Sequence, residues 1–270
     1  MARTATGTVG WVDPVQLRPL RATEIVDAAT VVCRSEALAL ATLTAVVIVP
    51  TAGLATVPLA LGGSATSFAV AGAIAVAGGL LALAAAVHLT GRLLLGEEVS
   101  WRRSLRVAGR RSGAIAVLAV QVLVATAIGV VGAFVGALWV AAGAVPALPA
   151  LLLEPATPRV ARRRARILAT DRRTAIGAAV GLALALIVVA GAVVWMLLDI
   201  ALVHPSVASE ATRWATAAIA VVVVSIGGLP LLGATLVLCY TDTRVRREGL
   251  DIQFQLDAAL RRSPPAEALR

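Results

Sequence analysis

Lysine is absent from this chain: its 24 basic residues are all arginine. Aromatic residues make up only 3% and charged residues 14%, against about 25% charged in soluble domains. Two cysteines exclude a disulfide scaffold. Two histidines leave little for metal or acid–base chemistry. No H-E-x-x-H, G-x-S-x-G, P-loop or C-x-x-C pattern occurs. The sequence therefore assigns no catalytic residue, metal site or cofactor, and the chain is read as non-enzymatic.

What is present is apolar. Hydrophobic residues reach 59% and the mean hydropathy is +0.91, carried by Ala, Val, Leu and Gly. A net charge of +9 would suit a nucleic-acid partner if the basic residues formed a continuous patch. They sit instead in short clusters between long apolar runs, the positive-inside pattern of a membrane protein. Nucleic acid is set aside on that ground.

A hydrocarbon core of ~30 Å needs about 20 apolar residues per helix. Runs at 37–61, 67–91, 174–198 and 215–239 qualify directly. The stretch 114–153 carries no charge and is too long for one crossing. Arginine clusters at 92–111 and 159–173 flank it, and both belong on one side only if it crosses twice, over about 114–131 and 133–153. Six spans follow. With both termini cytoplasmic, 23 of the 24 arginines lie inside and only Arg213 lies outside. Localisation is thus expected in the cell membrane, multi-pass, with Trp139, Trp195 and Trp214 near the outer interface. The expected division is a cytoplasmic arm over 1–36, a six-helix domain over 37–240 and a charged cytoplasmic tail over 241–270.

The segments between spans are patterned too. Trp101, Leu105 and Ala108 share a helical face opposite Arg103, Arg106 and Arg110. Ala161, Ala165 and Leu168 form a stripe apart from Arg159, Arg162, Arg163 and Arg166, with Thr157-Pro158 as a helix start. A weaker version places Ile25, Val26, Ala29 and Val32 together. Each segment runs directly into a pair of spans. The expected fold is an all-α integral membrane protein of six transmembrane helices arranged as three hairpins, each preceded by a cytoplasmic amphipathic helix in the headgroup plane.

Candidate site residues come from the same pattern. Arg102, Arg103, Arg106, Arg110, Arg111, Arg159, Arg162, Arg163 and Arg166 are expected to meet lipid headgroups, with anionic phospholipids as partners. Gln121 is the mid-membrane amide and would be the polar group of a cavity near the Pro-broken fourth span. Glu154 has two readings: a carboxylate neutralising a neighbour such as Arg159 or Arg162, or an acid favoured by a helix dipole. Pro146, Pro149 and Pro230 should kink or break their helices unless neighbours satisfy the freed carbonyls. His88 reads as packed or interfacial, and His204 as a solvated loop residue.

Two stretches carry a family resemblance. Leu17-Arg18-Pro19-Leu20 followed by Glu24-Ile25-Val26-Asp27-Ala28, and Tyr240-Thr241-Asp242-Thr243-Arg244-Val245-Arg246-Arg247-Glu248-Gly249-Leu250-Asp251, resemble the two ends of actinobacterial six-helix membrane proteins. These are likened to the membrane domain of glycerophosphoryl diester phosphodiesterases. Glu154 and the Ala/Arg-rich segment after it resemble the group's middle. The hydrolytic barrel of the two-domain members has no counterpart here. The resemblance implies a six-helix membrane module with no established biochemical role. From the residues themselves the expected function is a non-enzymatic scaffold or accessory subunit with a membrane-protein partner, the alternative a carrier of a lipid or small apolar molecule.

Overall fold

A computed structural model describes residues 20–62, 64–97, 100–131, 134–202 and 210–248. Among these residues the chain is helical throughout, without strands. The elements are α1 (Ala22–Ser35), α2 (Ala37–Gly62), α3 (Ala65–Leu94), α4 (Trp101–Arg110), α5 (Ser112–Val131), α6 (Phe134–Ala144), α7 (Ala147–Leu153), α8 (Pro158–Ala169), α9 (Arg173–Leu202) and α10 (Glu210–Glu248).

Five helices are long and apolar enough to cross a membrane: Ala37–Pro58 within α2, then Ala65–Leu94, Ser112–Gly129, Arg173–Ala201 and Ala215–Glu248. Their large side chains face outward, as at Leu123, Ile128, Val188 and Ile200. In water such a surface would aggregate; in hydrocarbon it is the solvent-facing side. The pattern fits a multi-pass membrane protein.

The interior is built from small residues. Ala84, Ala85, Ala86 and Val87 of α3 are fully buried in one cluster with Leu40 and Leu43 of α2, Leu151 of α7, and Val237 and Tyr240 of α10. Lipid gives apolar side chains no reason to cluster by themselves, so helices associate through close packing. Gly136 is one such approach: a Cβ there would meet the Gly129 carbonyl oxygen at 2.9 Å. Backbone thus faces backbone where α5 and α6 meet.

Two boundaries differ from the sequence reading. The run expected as one crossing over 133–153 is two helices, α6 and α7, with a turn at Val145-Pro146. Pro146 has no N–H to continue the α6 ladder, and its ring crowds the carbonyl four residues back. Pro149 is tolerated because it falls in the first turn of α7, where N–H groups have no helical partner. At the other boundary, helix α10 runs on through residue 240, the expected edge of the membrane domain, to Glu248. Ion pairs between Asp242 and Arg246 and between Arg244 and Glu248, each at i,i+4, support the extension.

Pro230 lies inside α10 and does not end it. The carbonyl it leaves without a helical donor is that of Ile226. Thr44 of α2, fully buried, places its hydroxyl 3.1 Å from that oxygen. A neighbouring helix therefore supplies the missing donor.

Candidate functional site

Apart from Arg92, which pairs with Glu97 at 2.9 Å, two groups of arginines are distinguished by their partners. The first group is tied to carboxylates around the end of α10. Tyr240, buried, donates its hydroxyl to Glu154. Arg164 lies 3.0 Å from Glu154 and 2.7 Å from Glu248, while Arg244 pairs with Glu248 at 2.7 Å and lies 3.8 Å from Glu154. Glu154 thus meets Arg164 and Arg244 rather than Arg159 or Arg162. The reason is helical phase: Arg164 projects toward α10, while Arg159 faces outward, exposed.

A second network sits beside the first. Asp242 accepts from the Leu20 N–H at 2.9 Å and pairs with Arg246 at 3.1 Å and Arg172 at 3.4 Å. Both of these guanidinium groups also reach the Leu20 carbonyl. The start of α1, the start of α9 and the end of α10 are therefore held at one level. Arg247 adds a pair with Asp171. At α5, Arg111 donates to the carbonyls of Leu151 and Glu154, joining the start of α5 to the end of α7. His88 is packed: buried in α3, its Nδ1 is 3.1 Å from the Ser104 hydroxyl of α4. Burial also pushes the Cys33 thiol of α1 up to about 11.

The segments quoted for the family resemblance converge here: Leu20 meets Asp242, and Glu154 meets Tyr240 and Arg244. Sequence reasoning assigned no role to Tyr240, Arg164, Arg172, Arg244 or Asp242 individually. The i,i+4 charge spacing of Asp242 with Arg246 and of Arg244 with Glu248 was a visible signal, but the partners of Arg164, Arg172 and Tyr240 lie far along the chain.

The second group has no carboxylate partner among the described residues. Arg102, Arg103, Arg106 and Arg110 are exposed on α4, which buries Ser104 and Ala108. Arg159, Arg163 and Arg166 are exposed on α8, which buries Ala161, Ala165 and Leu168. Thr157 stands at the N-cap of α8 without a side-chain cap bond, and Pro158 takes the first position. Of the candidate arginines, Arg111 alone is engaged by backbone carbonyls as described above. Arg102 stacks on Trp101 at 5.2 Å.

Two cavities adjoin α8 and a third lies beside them. An open groove of about 670 Å³ is lined by Gln121, Arg159, Arg162, Arg163, Arg166 and Ile167. Gln121, expected as the polar group of a cavity, lines this groove together with the α8 arginines. A narrower cavity of about 240 Å³ holds Arg162, Arg166 and Arg173 against Val122, Ala125 and Val140. An apolar slot of about 390 Å³ lies between α3, α5, α6, α7 and α10. Trp139, expected at the outer interface, instead has the Arg173 guanidinium over its ring at 5.3 Å. That contact puts the ring near the start of α9. His204, Arg213 and Trp214 fall where side chains are not described.

Among the described residues no cluster of His, Cys, Asp and Glu could hold a metal ion. No protein-family model matches the chain, and neither a curated protein nor a solved structure does.

Proposed function

We propose that this protein is a non-enzymatic integral membrane module, a scaffold or accessory subunit, whose arginine faces on α4 and α8 bind anionic phospholipid headgroups on the cytoplasmic leaflet. In this reading the chain crosses six times, with α6 and α7 together making the fourth crossing, and both termini are cytoplasmic. Helices α1, α4 and α8 are amphipathic and lie in the headgroup plane. The contacts of Arg111 with Leu151 and Glu154 support an even number of crossings between the two arginine clusters.

One observation carries the reading. Arg164, Arg172, Arg244 and Arg246 are neutralised internally, while Arg102, Arg103, Arg106 and Arg110 of α4 and Arg159, Arg163 and Arg166 of α8 are left exposed beside large lipid-facing surfaces. An anionic leaflet attracts such residues by about 1 kcal/mol each. The test is association of spin-labelled phosphatidylglycerol with the reconstituted protein. Changing Arg102, Arg103, Arg106, Arg110, Arg159 and Arg163 to Gln should abolish its preference over phosphatidylcholine. An unchanged preference would overturn the proposal.

A second reading, a carrier of a lipid or small apolar molecule, draws support from the apolar slot of about 390 Å³. Protein-dependent transfer of a fluorescent lipid between leaflets would favour it over the scaffold.

A further inference from the structure

The narrow cavity brings arginines of two helices together. Arg162 and Arg166 reach it from α8 and Arg173 from α9. None of the three has a carboxylate partner among the described residues. The Arg173 Nε is buried without a hydrogen-bond partner. Gly143 leaves room for it: a Cβ there would meet that nitrogen at 3.3 Å. Guanidinium groups do not deprotonate in proteins. Arg162 and Arg173 are half-buried and Arg166 is exposed, and three like charges lining one cavity repel one another. The arrangement is complementary to a phosphate, which each guanidinium can bind through two parallel N–H donors.

The adjoining spaces identify what carries that phosphate. On one side the cavity shares Arg162 and Arg166 with the open groove, where Gln121, Arg159 and Arg163 offer further donors. On the other it shares Val122 and Ala144 with the apolar slot, which Leu118, Leu148 and Leu236 help to line. Polar groove, cationic cavity and apolar slot therefore adjoin one another through shared lining residues. At roughly 30 Å³ per methylene, near the share of a liquid water, the slot of about 390 Å³ holds most of one acyl chain.

We infer that these three adjoining spaces form a discrete site for one anionic glycerophospholipid. Its phosphate sits between Arg162, Arg166 and Arg173, its headgroup lies toward Gln121, and one acyl chain occupies the slot against Val122. The inference rests on the headgroup-binding reading above but is narrower: it requires a single retained lipid, not a general preference of the surface.

The experiment is native mass spectrometry of the full chain released from phosphatidylglycerol–phosphatidylcholine nanodiscs, with retention titrated against added phosphatidylglycerol. One phosphatidylglycerol should stay bound. Arg162→Gln, Arg166→Gln and Arg173→Gln should each weaken retention about tenfold, the loss of a charge-assisted hydrogen bond. Val122→Trp keeps every arginine and fills the mouth of the slot, so it should also release the lipid. Gln substitutions at Arg102, Arg103, Arg106 and Arg110 on α4 should leave the single bound lipid in place. Retention unaffected by the Arg173 and Val122 variants would overturn the site. Inorganic phosphate that displaces the lipid and binds the Val122→Trp variant equally well would identify a phosphate site instead and overturn it too. A surface preference unchanged by the Gln substitutions on α4 and α8, with the single lipid still released by Arg173→Gln, would overturn only the broader reading.

Discussion

Replacing Thr44 with Val tests whether one hydroxyl holds α2 to the proline-interrupted part of α10. Pro230 has no N–H, so the Ile226 carbonyl has no donor within its own helix. The Thr44 hydroxyl is 3.1 Å from that oxygen, and also 2.9 Å from the Leu40 carbonyl and 3.1 Å from the Ala41 carbonyl. The latter two already accept from N–H groups of α2. A hydroxyl has one proton to give, and only Ile226 lacks another donor. Valine preserves the shape and removes the donor. An orphaned buried acceptor costs about 1–3 kcal/mol, whereas interhelical bonds in membranes average about 0.6 and reach about 1.7 kcal/mol. A loss of about 1–2 kcal/mol is expected because no water reaches this contact. In a chain of this size that lowers the Tm by about 3–6 °C, measured by circular dichroism in detergent. The Pro230→Ala background makes the test specific, because that substitution restores the N–H that serves Ile226. Thr44→Val should then cost under about 0.5 kcal/mol, a coupling of about 1 kcal/mol between the sites. An equal loss in both backgrounds would refute the assignment.

Tyr240→Phe should lower stability by about 1–2 kcal/mol by removing a donor to a charged acceptor, and in a Glu154→Gln background by less; additive losses would contradict the shared network. Gly136→Ala should cost about 1–3 kcal/mol, because the opposing Gly129 carbonyl belongs to backbone that cannot step aside. Gly109→Ala on α4 meets nothing within 4 Å and should instead stabilise by about 0.4–1 kcal/mol, both read from thermal unfolding. Cys33, with its thiol pushed up to about 11, should alkylate slowly at pH 8 and faster as pH rises toward 11, the thiolate being the reactive form. Because the unfolded thiol ionises first, near 9, its burial lowers the stability of the fold progressively as pH rises from 9 to 11. Fast alkylation of the folded protein at pH 8 would contradict this.

The long apolar helices were legible in the sequence because bilayer thickness sets a length that composition must meet. The buried stripes at Ile25, Val26, Ala29 and Val32, and at Ala161, Ala165 and Leu168, coincide with apolar positions at helical spacing. The division of 133–153 was only half visible. Pro146 marked a break, but nothing local says whether a neighbour rescues a proline, as Thr44 does at Pro230 and no described group does at Pro146. The arginines were countable but not sortable. Arg163 and Arg164 are adjacent in sequence, yet one is exposed and the other pairs with Glu154 and Glu248. That distinction depends on a residue 84 positions away on α10. The extension of α10 past residue 240 was obscured by its own charge, which reads as a solvated tail until the carboxylate partners are seen together. Arg173 was counted among the positive-inside residues, but its approach to Gly143 and Trp139 needs the packing of α6 against α9.

Helices α4 and α8 must present their arginines to the same leaflet for headgroup binding to hold. In a Cys33→Ser, Cys239→Ala background, single Arg106→Cys, Arg163→Cys and Ser64→Cys variants can be labelled in intact cells with a membrane-impermeant maleimide. The Arg106→Cys and Arg163→Cys sites should both resist labelling until the cells are permeabilised, while Ser64→Cys labels at once. Labelling of Arg106→Cys and Arg163→Cys from opposite sides of the membrane would contradict the shared leaflet and the headgroup site built on it.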